Sequence, residues 1–355
     1  MAATLSIRYQ WVKSRENIMA DKKIRWGILS TANIGLKKVT PAIMKSPLSE
    51  VVAVASRDVA KAEAYIAELG LTGKARAHGS YEALFADPNV DAIYNPLPNH
   101  LHVPMTLAAA KAGKHVLCEK PIALNASEAE QLRQLPKDIV FYEAFMVRWH
   151  PQWQRAREIA RSGELGELRA VRGVFTYFLT DPTNVRNQAD IGGGGIYDIG
   201  CYPITGSRFL FDAEPKRAVS LVDRDPVMQT DRLASVILDF GGGRQASFVC
   251  STQSVGHQSL ELIGTKGRVE LVIPFNAPAD TATAIIIDNG YSPDGHLSRR
   301  EIIPPSDQYT EQANAFCRAI LDNKPLEWGV EDAIKSMKVI DAVFESEKTG
   351  AWANV

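Results

Sequence analysis

The chain carries almost no net charge: 40 lysines and arginines against 41 aspartates and glutamates leave −1 over 355 residues. No basic field is available to hold a polyanion, so neither nucleic acid nor an anionic membrane surface is expected as a partner. Cysteine is scarce as well. Cys118, Cys201, Cys250 and Cys317 stand singly, without a C-x-x-C pair, which argues against a zinc centre or a dithiol redox site. No metal site is expected. Long apolar runs are missing: those present are strand-sized, far short of the roughly 20 residues that span a bilayer. Met1–Lys23 is polar and charged and lacks the apolar core and small-residue cleavage site of a secretory signal. A reducing, cytoplasmic setting is therefore expected. No internal repeat or low-complexity stretch interrupts an ordinary globular composition. At roughly 100–200 residues per domain, the length implies two domains.

From Ile24 to Tyr142 short apolar runs alternate with helical patterns. Ile24–Ser30, Val51–Ser56, Asp91–Asn95, His115–Glu119 and Asp138–Tyr142 read as buried parallel strands. Ile34–Lys45, Val59–Leu69, Leu101–Ala112 and Ser127–Leu135 read as the helices between them. Repeated strand–helix–strand units predict an α/β Rossmann domain over 24–142, with an arm over 1–23 before it. The pattern then changes. After a helix over His150–Ser162, strands follow with little helix between them: Leu168–Tyr177, Arg217–Asp223, Leu233–Phe240, Gln245–Ser254, Ser259–Ile263, Arg268–Ile273 and Thr283–Asp288. Helices over Tyr309–Leu321 and Val330–Lys348 close the chain. This predicts a second, α+β domain over 143–355 with a large, open, predominantly antiparallel sheet for substrate binding and oligomerisation.

The first strand runs into Ser30-Thr31-Ala32-Asn33-Ile34-Gly35. A dinucleotide fingerprint would place glycine at 30, 32 and 35, and only the last is glycine. The context supports the motif, because it follows the first strand and opens the first helix, whose N-terminus suits a pyrophosphate. At the end of the second strand an NAD enzyme carries an acid for the ribose 2′-hydroxyl. Here Ser56 and Arg57 stand instead, two donors that suit a 2′-phosphate, so NADP is expected. Lys61 is grouped with them. Asn95-Pro96-Leu97 and Asn99 end the strand before the third helix and are candidate cofactor contacts, Asn99 being equally suited to cap that helix. His102, one turn in, is counted with them, although a packed helix residue is the blander reading.

Glu119-Lys120-Pro121 ends the next strand, so Lys120 is placed at the carboxyl edge where ligands bind, with Glu119 beside the cofactor. Pro121 restricts Lys120 to extended geometry and is compatible with a cis bond. The run Gly192–Gly195 permits tight turning and leads into a probable helix, on which Asp198 and Tyr202 share one face at i and i+4. A carboxylate and a phenol side by side suit acid–base work.

Trp26-Gly27-Ile28-Leu29-Ser30-Thr31-Ala32, Glu119-Lys120-Pro121, the stretch Glu143–Pro151, the run Tyr197–Tyr202 and Gly264–Arg268 together resemble the glucose–fructose oxidoreductase, inositol dehydrogenase and MocA family. The resemblance covers Ile24 to about Lys348. Many members have histidine where this chain has Tyr202. The nearest branches, glucose–fructose oxidoreductase, aldose–aldose oxidoreductase and NADP-dependent xylose dehydrogenase, have tyrosine. The resemblance implies catalytic roles for Lys120, Asp198 and Tyr202, with Arg148 and Tyr177 as further candidates for the sugar pocket. It implies oxidation of a cyclic aldose at C1 to an aldonolactone, with NADP(H) tightly bound and a second aldose reduced to an alditol. Tyr202 would act as tyrosinate, favoured by the Lys120 ammonium. The alternatives are an aldose or dihydrodiol dehydrogenase with exchangeable NADP, and a non-catalytic NADP- or sugar-sensing regulator. The family also implies a homodimer or larger homo-oligomer through the second sheet, which has apolar residues on both faces: Ala234, Val236, Leu238 and Phe240 on one, Leu233 and Ile237 on the other. The arm Met1–Lys23 is expected either to cover the cofactor or to be a disordered extension.

Overall fold

The computed structural model describes residues 22–290, 295 and 297–355. The arm expected to act as a lid lies almost wholly outside the described residues. Six parallel strands, β1 (Ile24–Leu29), β2 (Ser49–Ala55), β3 (Arg76–His78), β4 (Ala92–Asn95), β5 (His115–Cys118) and β6 (Phe141–Glu143), form a sheet in the order β3-β2-β1-β4-β5-β6. Chain direction across the sheet reverses between β1 and β4, which opens a crevice at their carboxyl ends. The strands read as continuous apolar runs because both faces are covered: Trp26, Ile28, Ala53, Val54, Ile93 and Tyr94 are fully buried. Local chemistry starts the helices. Asp58 accepts from the Ala60 N–H before Val59–Glu68, Ser80 caps Tyr81–Phe85, and Asn125 caps Ala126–Glu130. The expected first helix is a π turn over Gly35–Val39 continued by Thr40–Lys45. Ser127–Leu135 is only a short helix followed by a 3-10 turn.

The second sheet has nine strands: β7 (Leu168–Phe178), β8 (Arg217–Arg224), β9 (Asp231–Gly241), β10 (Arg244–Ser251), β11 (Gln253–Gly264), β12 (Arg268–Leu271), β13 (Thr283–Asp288), β14 (Arg299–Ile303) and β15 (Ala353–Asn354). Their order is β14-β13-β12-β11-β7-β10-β9-β8-β15. Every pairing is antiparallel except β7 with β10. The expected strand Gln245–Ser254 stops at Ser251, and its last residues open β11. On β9, Ala234, Val236, Leu238 and Phe240 are buried against helices, while Leu233 and Ile237 are about two-fifths exposed on the other face.

The final helices tie the two sheets together. Asp307 caps Gln308–Leu321, which lies back on the first sheet. Phe316 packs on Trp26 at 5.2 Å between ring centroids, Cys317 meets the Ser49 hydroxyl at 3.3 Å, and the Thr310 hydroxyl donates to the Ala42 carbonyl. Val330–Thr349 packs under β8, where Ser220 donates to the Val343 carbonyl.

Candidate active site

Four of the expected site segments leave the carboxyl ends of parallel strands on one edge: Ser30 after β1, Ser56 after β2, Asn95 at the end of β4, and Glu119-Lys120 after β5. Ser30 has φ +91°, a left-handed conformation that disfavours a side chain. The first fingerprint position therefore keeps glycine geometry without glycine. Gly35 must be glycine, because a Cβ there would lie 2.8 Å from the Tyr65 phenolic oxygen. Thr31, Ala32 and Ile34 are partly exposed along this turn and Asn33 is exposed. Ser56 is buried, its hydroxyl accepting from the Asp58 N–H, so Arg57 and Lys61 face solvent beyond it. Among the described residues no carboxylate pairs with Arg57 or Lys61. A turn that brings backbone close, and two free cations at the end of β2, fit a dinucleotide with a phosphate on its ribose.

The third loop is braced from within by two of its expected contact residues. Asn95 is fully buried, and its amide braces the loop by donating to the His102 carbonyl and accepting from the Leu97 N–H. Pro96 and Leu97 are buried with it. His102 is also fully buried, with its ring nitrogens 2.8 Å from the Pro121 carbonyl and 2.6 Å from the Leu97 carbonyl. Burial lowers its pKa to about 4. As cofactor contacts, the side chains of Asn95 and His102 are corrections: both are closed off from any ligand, and they hold two loops together. Asn99 neither caps the helix nor lies free. Its amide donates to the Gly192 carbonyl at 2.8 Å and so joins the first domain to the glycine-rich run.

Lys120 precedes Pro121 through a cis bond. Its ammonium donates to the Asp198 carbonyl at 2.5 Å, stands 3.3 Å from the Asp198 carboxylate, and lies 4.8 Å over the Tyr202 ring. Asp198 also accepts from the Tyr177 hydroxyl at 2.7 Å and from Arg186 Nε at 2.9 Å. Burial alone would raise the Asp198 carboxyl; Lys120 and Arg186 outweigh it and hold the group well below the usual carboxylate range. The Asp198 charge in turn raises Arg186. Glu119 accepts from the Tyr94 hydroxyl at 2.8 Å, behind Lys120.

Tyr202 sits on the helix Cys201–Phe211 among Phe145, Phe175 and Phe275, with its hydroxyl 3.5 Å from the Met146 sulfur. It is 7% exposed, and burial pushes its pKa well above the ordinary phenol value. The Lys120 ammonium faces the ring and is hydrogen-bonded to Asp198. Arg148 is a further correction. It is 2% exposed and turned inward, bound to Asp332 at 2.6 Å and lying over Trp328, so it does not reach a sugar. Arg186, not Arg148, is the arginine bonded to Asp198. Its side chain is 43% exposed, only its Nε is engaged, and its sole sequence signal was nearness to the glycine run.

Residues 24–138 match the oxidoreductase family with an NAD-binding Rossmann fold, and residues 153–270 match the GFO/IDH/MocA C-terminal domain. An uncharacterised oxidoreductase from Rhizobium meliloti is 43% identical over 335 residues, covering 94% of this chain and 99% of that protein. A D-xylose 1-dehydrogenase (NADP(+)) from Haloferax volcanii is 37% identical over 329 residues, covering 92% and 98%. The crystal structure of a 3-ketoreductase from Actinomadura kijaniata, in complex with NADP and TDP-benzene, matches with a TM-score of 0.84 at 28% identity, over 92% of this chain and 98% of that one. The fold and site thus define a pyridine-nucleotide oxidoreductase. The chain belongs to the Gfo/Idh/MocA family.

Proposed function

We propose that the protein is an NADP-dependent sugar oxidoreductase that oxidises a cyclic aldose at C1 to an aldonolactone. The observation that carries this is the half-buried cluster of Lys120, Asp198, Tyr177 and Arg186 beside the Tyr202 phenol, at the carboxyl edge of the first sheet. Preference for NADP rests on the unpaired Arg57 and Lys61, and it agrees with the cofactor named for the xylose dehydrogenase and held by the ketoreductase. Ser30–Ile34, Ser56, Arg57 and Lys61 would hold that cofactor, which supplies a hydride acceptor when bound.

The chain's own groups divide the remaining work. Asp198, charged and held from three sides, accepts hydrogen bonds from sugar hydroxyls and fixes the ring. The free end of Arg186 donates to sugar oxygens at the mouth of the cleft. In oxidation Tyr202, as tyrosinate, takes the proton of the C1 hydroxyl as C1 gives up its hydride, the Lys120 ammonium 4.8 Å from its ring favouring the anion against burial; in reduction the phenol returns that proton to the carbonyl oxygen. Burial among aromatic rings keeps water from that proton. If NADP(H) stays bound between turns, the same site reduces a second aldose to an alditol; if it exchanges, the protein is an ordinary aldose dehydrogenase.

The test is to offer purified protein a panel of aldoses with NADP and follow lactone and NADPH. Tyr202→Phe should keep cofactor binding and lose roughly 10²–10⁴-fold in kcat. A fully active Tyr202→Phe enzyme would sink the mechanism. Denaturing freshly purified protein and measuring released NADP(H) separates retained from exchangeable cofactor.

A further inference from the structure

Asp231 opens β9, 33 residues beyond Asp198 in the chain, and is 1% exposed. Its carboxylate lies under the glycine-rich run. One oxygen accepts from the Ile196 N–H at 2.5 Å, at the start of the helical stretch that carries Asp198 and then Tyr202. The other occupies the space a side chain at Gly194 would need: a Cβ there would fall 1.9 Å from it. Gly194 has φ +122°, so its backbone and the carboxylate fit only without a side chain. Gly194 is a node in the site. Its N–H donates to the Arg186 carbonyl at 2.9 Å, and its carbonyl accepts from the Asp198 N–H at 3.0 Å. The two residues whose side chains form the ion pair therefore hang from the two backbone polar groups of one glycine, and Asp231 lies directly beneath it.

We propose that Asp231, though it touches no substrate, is a positioning residue that sets the geometry of the Asp198–Arg186 pair toward the sugar by clamping Gly194 and Ile196. This rests on the reading of that pair as the sugar-binding groups.

The charge around Asp231 makes the clamp sensitive to pH. Among the described residues it forms no ion pair. Arg224 of β8 faces it but is bound to Glu347 of the last helix at 2.6 Å. Cys250 of β10, Tyr197 of the same helical stretch and Tyr177 of β7 are its other titratable neighbours. Burial, only partly offset by the Ile196 N–H and Arg224, raises the Asp231 carboxyl to about 7. A charged acceptor holds an N–H more firmly than a neutral one, so the clamp tightens as pH rises.

Asp231→Asn keeps an acceptor and cannot ionise; Asp231→Ala removes the clamp. The sugar KM of the wild type should fall as pH rises through about 7, and that of Asp231→Asn should stay flat. Asp231→Ala should raise the sugar KM roughly 10- to 100-fold, the scale of a small misplacement, with the Kd for NADP unchanged. Parallel pH profiles for wild type and Asp231→Asn, or a normal sugar KM in Asp231→Ala, would overturn the proposal; if the alanine variant does not fold, the asparagine profile decides. Amide exchange over 192–202 gives a readout that needs no substrate: exchange there should speed up in Asp231→Ala, which lacks the acceptor for the Ile196 N–H, relative to the wild type. If no aldose turns over, the functional reading fails and exchange alone judges Asp231, with equal rates overturning the clamp.

Discussion

Arg57 and Arg148 show how differently two arginines can be read from sequence. Arg57 follows directly from β2, so its position at the sheet edge was set by the strand, and the structure leaves it exposed and unpaired. Arg57→Ala should weaken NADP binding by about 1.5–3 kcal/mol, the range for a hydrogen bond to a charged group, and leave NAD almost untouched. Titration with both cofactors checks this, and equal losses would show that Arg57 does not read the phosphate. Arg148 lies inside a family stretch, but its side-chain direction is decided by Asp332, 184 residues away, which the sequence does not bring near. Motif spacing puts Lys120 at a strand end and Asp198 on the following helical run, whereas Tyr177 enters only through the family resemblance. The upward shift of the Tyr202 phenol has no such signal, since it comes from burial among three phenylalanines of separate segments. Arg186 and Asp231 escaped for the same reason: each gains its meaning from a contact rather than from a pattern.

Strands that are apolar throughout, such as β1 and β4, could be placed from composition alone. β14, mostly exposed, and β15, two residues long, carry no such pattern and appear only as edges of the second sheet. The helical stretch Ile196–Phe211 depends on what lies at its start. Its buried carboxyl has a pKa raised from 3.8 to about 7, so the folded chain holds that proton more tightly than the unfolded chain. Linkage then makes its stabilising effect complete below about pH 4 and lost progressively up to about pH 7. Asp231→Asn, which has no proton to lose, should gain stability relative to the wild type across that window, on the order of a few kcal/mol, and level off above it. Thermal melts from about pH 4 to pH 8 would show the gap opening. A constant gap would mean that Asp231 does not titrate there. Ionisation thus tightens the local clamp at a cost to the whole fold.

At the scale of the molecule, the outer face of the second sheet is open. Leu221 is about four-fifths exposed, and Leu233 and Ile237 share its face of β8 and β9. Apolar surface of this extent on a sheet marks an interface. The protein should form a dimer or larger homo-oligomer through it, and light scattering at micromolar concentration should exceed the 39.0 kDa of one chain. A monomer mass would rule the pairing out. The return of Gln308–Leu321 to the first sheet bears on synthesis. Trp26 emerges from the ribosome early, yet its partner Phe316 follows 290 residues later, so the Rossmann half waits uncovered while the second half is made. Such long-range closure slows folding and exposes intermediates to aggregation. A fragment ending at residue 142 should therefore be poorly soluble and melt without cooperativity, despite containing every strand of its sheet but the last residue of β6. Supplying residues 143–355 as a second chain should restore it. A soluble, cooperatively melting fragment would show instead that the N-terminal half matures on its own, before its cover arrives.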